Sequence, residues 1–165
     1  MDKAAQWRSG GFDRVCGGVP GSPTTAEIAE RGIKGNLFVN EVLTVRPGAQ
    51  LDFLSAVIEE RKPLLEARGV TATGLWQVVN NAHEVVLVWA TTIEAWVQLR
   101  RDIDTTFGLD ATGVADERLA AWAERSATFV TGGDTHVMTP LPRTVYGPDD
   151  WEDADLGQWL GDADS

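Results

Sequence analysis

Glu41 stands inside Leu37 to Val45, a run dense in β-branched and aromatic residues that reads as a strand. A carboxylate in such a run must face a cavity, a cation or water, because burying an unpaired charge is costly. Facing a cavity, its pKa rises and suits acid or base work; facing an arginine, it is a structural ion pair. His136 opens the short run His136 to Thr139 ahead of Pro140. An imidazole with an unperturbed pKa of roughly 6.5 suits proton transfer near neutrality, and the alternative is a hydrogen-bonded histidine at a strand entry. Glu41 and His136 are therefore the candidate catalytic pair, expected to border one cavity. Asn40, adjacent to Glu41, points to the other side of the strand and can orient a substrate carbonyl if that side is wet.

The chain has seven tryptophans in 165 residues. Trp76, Trp89, Trp96 and Trp122 fall on predicted strands or helices, where they either fill the core or line a pocket for a planar, hydrophobic ligand. His83 lies in Asn80-Asn81-Ala82-His83, a turn, and reads as solvated. With two histidines and one cysteine, Cys16, no metal site is expected, although Asp134 lies close to His136. The glycines between Gly10 and Gly21 lack the spacing that cradles a dinucleotide and follow no strand, so no nucleotide cofactor is expected. Haem with His136 or His83 as axial ligand is a further option.

These residues need elements to position them. Met1 to Gly35 is broken by Gly10-Gly11, Gly17-Gly18 and Pro20-Gly21-Ser22-Pro23 and reads as an extension, with a short helix from Thr25 to Glu30 capped by Thr24 or Thr25. After the first strand, Pro47-Gly48 makes a turn. Ala49 to Arg68 then spaces Leu51, Leu54, Ile58 and Leu65 as an amphipathic helix, interrupted near its end by Pro63. Val70 to Val79 and Glu84 to Ala90 form a hairpin. In the second of these strands, Val85 to Trp89 is apolar without alternation, so both faces are expected to be buried, one by helices and one by a second copy of the sheet. Helices follow at Ile93 to Asp104 and Ala115 to Thr128, and His136 to Thr139 closes the series as a short strand. The order strand, helix, two strands, helix, strand is the split βαβ pattern of ferredoxin-like α+β folds.

Charge argues against nucleic acid. The net charge is −11, and Arg100-Arg101 is too little to make a basic stripe. The single cysteine rules out an internal disulfide, and no apolar run reaches the length of a signal peptide core or a membrane span, so a cytoplasmic protein is expected. From Asp149 onward the chain is acidic without Lys or Arg, interrupted by Trp151, Leu156, Trp159 and Leu160. This acidic peptide is expected to dock through its tryptophans, on its own dimer or on another protein.

Phe38 to Gly48 followed by Leu51-Asp52-Phe53-Leu54 resembles the opening of NIPSNAP-like domains of the dimeric α+β barrel superfamily. Pro63-Leu64-Leu65-Glu66, Gly74-Leu75-Trp76, Glu84 to Trp89 and Met138 to Pro142 agree with it. The resemblance covers approximately Asn36 to Pro148. It implies a ferredoxin-like βαββαβ sheet with helices on one face, a homodimer built by sheet packing, and a cavity between each sheet and its helices. The division expected is an extension over residues 1–35, the barrel domain over 36–148 and the tail over 149–165. Such folds include cofactor-independent monooxygenases, cyclases and dehydratases as well as proteins without known activity, so fold alone does not choose a function. The functional expectation is a homodimer that binds or transforms a hydrophobic metabolite by proton transfer or cofactor-free oxygenation. The rival is a non-catalytic interaction module that uses the acidic tail.

Overall fold

A computed structural model describes residues 13–142 and 144–151. Five strands form one antiparallel sheet: β1 (Cys16–Gly18), β2 (Leu37–Val45), β3 (Thr71–Val78), β4 (Glu84–Thr91) and β5 (Val130–Met138), in the order β1-β3-β4-β2-β5. Strands β2 to β5 with their crossover helices make the ferredoxin-like α+β arrangement, and β2 and β4 are its central strands. The three-residue β1 comes from the stretch read as an extension and pairs with β3 through Gly18 and Trp76. Its two glycines carry no strand signal, so only the pairing reveals it.

Helix α1 (Thr25–Glu30) has the ends the sequence predicts: the Thr24 hydroxyl accepts from the Glu27 N–H, and the Glu27 carboxylate accepts from the Thr24 N–H at 2.7 Å. The long predicted helix is three pieces. These are α2 (Gln50–Ala56), a π-helical turn (Val57–Arg61) and α3 (Lys62–Glu66). Pro63 lies in the first turn of α3, where its missing N–H is tolerated, and the wider turn before it takes up the disruption a proline causes inside a helix. Helix α4 (Ile93–Thr106) starts at Thr92, whose hydroxyl accepts from Ala95, and α5 (Glu117–Ala127) starts at Asp116, whose carboxylate accepts from Arg118.

Helices α2 to α5 cover one face of the sheet. Phe53, Leu54, Val57, Leu64 and Leu65 pack with Leu99 and Leu119 onto Val39, Val45, Leu75, Leu87 and Trp89. At about 1.5–3 kcal/mol for each large apolar side chain removed from water, this layer is the main source of stability. A polar cluster fastens the α4–α5 connection beneath it. The Arg68 guanidinium pairs with Asp116, and buried Asp102 accepts from Gln98 and from the Val114 N–H at 2.8 and 2.9 Å.

The opposite face is partly covered by the chain itself. Ile28 of α1 and Ile33 pack on Phe38 and Ala90, with Val88 and Tyr146 alongside. All but Val88 of the apolar run Val85 to Trp89 is buried within this one chain. The segment from Val19 to Ile33 thus covers part of the face that sequence alone assigns to a second sheet. A short 3-10 helix (Asp149–Trp151) begins the acidic segment, where Asp149 pairs with Lys34 and Trp151 is half-buried. Trp159 and the rest of that segment lie outside the described residues.

Candidate functional site

Strand β2 separates two environments, since alternate side chains leave a strand on opposite faces. Val39, Glu41 and Leu43 point to the helices; Phe38, Asn40 and Val42 point to the other face. Glu41 meets Arg61, whose Nη1 and Nη2 donate to its two carboxylate oxygens at 2.7 and 2.9 Å. Trp89 Nε1 donates to the same carboxylate at 2.8 Å. The guanidinium lies over two rings, 5.1 Å from the Trp89 centroid and 5.9 Å from that of Trp122. Burial pushes the Glu41 carboxyl up, but the Arg61 charge and the hydrogen bonds from Arg61 and Trp89 outweigh it and hold the group below its ordinary range. Of the two readings the sequence allows, a cavity-facing acid or an ion pair with an arginine, the structure has the ion pair. Glu41 is an ionised partner in a ring-flanked ion pair.

His136 does not join it. In the β2–β5 ladder His136 stands opposite Asn40, whereas Thr135 stands opposite Glu41. Directly opposed residues share a face, so His136 and Glu41 lie on different faces of the sheet and cannot border one cavity. The reason is the register, which sequence does not disclose. His136 is exposed, and His83 sits in an exposed turn where its N–H donates to the Asn81 side chain at 3.1 Å. Among the described residues, no group of three His, Cys, Asp or Glu is placed to hold a metal ion, and no helix is long and apolar enough to cross a membrane.

A cleft of about 890 Å³ lies on the face away from α2 to α5. The sheet supplies Phe38, Thr73, Trp76 and Val88; the segment from Gly18 to Thr25 and Ile28 of α1 supply the facing wall; Tyr146 completes the lining. The resemblance places a cavity between sheet and helices, but this one is on the other face, because the N-terminal segment folds over it. Trp76 is the one predicted binding tryptophan among its lining residues. Trp89 is buried beside Glu41, Trp96 packs at the edge of the helix-side core, and Trp122 borders a separate groove of about 330 Å³ with Pro63, Leu64 and Arg118. Asn40 is on the cleft's side of the sheet but does not line it, and its buried Oδ1 has no hydrogen-bond partner.

The cleft is built from fixed parts. The Ser22 hydroxyl accepts from the Leu75 N–H at 2.9 Å, tying the Pro20–Pro23 segment to β3, and the Thr73 hydroxyl donates to the Val88 carbonyl at 3.1 Å. Phe38 and Tyr146 meet edge to face with centroids 6.2 Å apart. Sequence reasoning missed Arg61, Ser22 and Tyr146. Arg61 had a legible signal: it falls on the apolar stripe of Leu54, Ile58 and Leu65, a lone cation to match the lone carboxylate of β2. Ser22 and Tyr146 lie in turns, where no periodicity marks them.

No family model matches the sequence, and no curated protein matches it. Solved structures do resemble the fold. A NIPSNAP domain protein from Burkholderia xenovorans aligns over 66% of this chain and 97% of its own, with a TM-score of 0.51 and 17% identity. A NIPSNAP family protein of unknown function from Agrobacterium tumefaciens aligns over 64% and 88%, with a TM-score of 0.51 and 14% identity. At such identities the likeness is one of architecture, and it agrees with the strand order and helix placement above: this chain has the fold of a NIPSNAP-like α+β domain.

Proposed function

We propose that this protein binds a hydrophobic small molecule in the cleft between the open sheet face and its N-terminal segment, and that it works as a homodimer. The cleft carries the reading: about 890 Å³ suits a drug-sized ligand, and three aromatic side chains line it beside a few hydroxyls. Binding is favoured over proton-transfer catalysis because Glu41 is tied to Arg61 and Trp89 on the far face, and His136 is not among the cleft residues. The dimer rests on what α1 leaves uncovered, namely half-exposed Val42, unpartnered Asn40 and the exposed strand β5. Native mass spectrometry of freshly purified protein is the direct test. A mass increment of a few hundred daltons that disappears in a Ser22→Trp variant, whose indole fills the cleft, is the expected result. Protein that carries no increment and shows no thermal shift with apolar aromatic compounds contradicts the reading.

A further inference from the structure

We infer that the cleft selects a flat, uncharged ligand carrying a hydrogen-bond acceptor such as a carbonyl, with Trp76 and Tyr146 as its recognition residues; this rests on the binding reading above. The charge argument comes first. Among the described residues, no Asp, Glu, Lys, Arg or His lines the cleft, so an ionic group placed there loses its water without gaining a counterion from them. An anion is opposed further by the net charge of −11.

Flatness follows from Trp76 and Gly74. A Cβ built on Gly74 falls 2.0 to 2.5 Å from three carbons of the Trp76 six-membered ring. The indole therefore lies directly over the glycine, against the sheet, in a space any other residue would fill. An aromatic ring laid along a cleft wall offers its free face for stacking, and offset stacking prefers a planar partner.

The need for an acceptor follows from which polar groups are already used. Thr24 exchanges hydrogen bonds with Glu27, Thr73 donates to Val88, and Ser22 accepts from Leu75. Trp76 Nε1 and the Tyr146 hydroxyl have no hydrogen-bond partner among the described residues. Indole N–H is a donor only, and the phenol and the Thr25 hydroxyl of the lining can both donate, so an acceptor on the ligand suits all three.

Titration calorimetry with three probes substituted at the same ring carbon tests each part: acetylnaphthalene (flat, neutral, with acceptor), ethylnaphthalene (flat, neutral, without) and naphthoate (flat, anionic). Acetylnaphthalene should bind about fivefold to tenfold more tightly than ethylnaphthalene and more than about tenfold more tightly than naphthoate. Trp76→Phe combined with Tyr146→Phe should erase the first difference and keep the second. Gly74→Ala should weaken all three by displacing the indole. If Trp76→Phe does not fold, Tyr146→Phe alone should still narrow the acetyl–ethyl gap. Equal binding of the acetyl and ethyl compounds, or strongest binding of naphthoate, overturns the assigned class while leaving a ligand-binding cleft. Failure of all three to bind overturns the binding reading, and this inference with it.

Discussion

Arg61 governs what Glu41 can do. An arginine held between a carboxylate and two indoles is both paired and packed, so its removal leaves a largely buried carboxylate without its counter-charge. Arg61→Ala should destabilise the fold by about 3 kcal/mol near neutral pH, as read by urea unfolding. The sign with pH is distinctive. In the native protein the Glu41 carboxyl is held below its ordinary range, so its contribution is complete above the unfolded value of about 4.3 and is lost as pH falls through the folded value. Without Arg61, burial outweighs the remaining Trp89 hydrogen bond and lifts the carboxyl, so the variant gains stability as pH falls. The gap between the two proteins should narrow from about pH 7 to about pH 4, and a widening gap would contradict the assignment. His136→Ala is the contrasting case. With its side chain exposed and outside the cleft, it should change stability by less than about 0.5 kcal/mol and leave ligand affinity unaltered.

Two elements depart from their sequence signals for backbone reasons. Hydrophobic spacing reads the segment after the Pro47-Gly48 turn as one helix, but a π turn precedes Pro63, whose missing N–H breaks the ordinary α-helical ladder there. Strand β5 starts at Val130, well before the predicted His136. Thr131-Gly132-Gly133-Asp134 has weak β propensity, and pairing with β2 through a bulge beside Val45 holds it in place. Gly133 has φ of +145°, and a Cβ there would lie 2.5 Å from the Val42 carbonyl oxygen. Gly133→Ala should therefore cost more than about 1 kcal/mol. Hydrogen exchange should localise the loss to the β2–β5 ladder; uniform protection across that ladder would show that it tolerates a side chain opposite Leu43.

For the whole molecule, the open sheet face is divided between the chain's own N-terminal segment and the surface assigned here to a second copy. Val42 lies on the uncovered part and not in the cleft, so Val42→Lys should shift the protein toward monomer in sedimentation velocity while preserving its circular dichroism. A native protein that sediments as a monomer at micromolar concentration would contradict the dimer. The acidic segment makes a separate prediction. Trp151 is half-buried, whereas the Asp149–Lys34 pair is solvent-exposed and worth little, so Trp151 is the stronger anchor of this segment. Removing residues 149–165 should lower the melting temperature by roughly 2–4 °C, the shift that about 1 kcal/mol produces in a chain of this size. An unchanged melting temperature would favour a segment kept free for another protein.

Local patterning determined much by itself: the β-branched run of β2, the cap at Thr24, the hairpin between β3 and β4, and the split βαβ order. All depend on contacts a few residues apart, which leave a period or a turn residue in the sequence. The resemblance to NIPSNAP-like domains carried the same architecture. Tertiary structure alone decided which residues meet. Register placed His136 beside Asn40 and away from Glu41, a one-residue offset that reverses a side chain's face without altering any composition. Helix packing brought Arg61, legible in the sequence only as a lone cation on an apolar stripe, onto Glu41. The fold of a Gly- and Pro-rich segment made a cleft wall from Pro20 to Thr25, because turns carry no periodicity and their position is set by what they pack against.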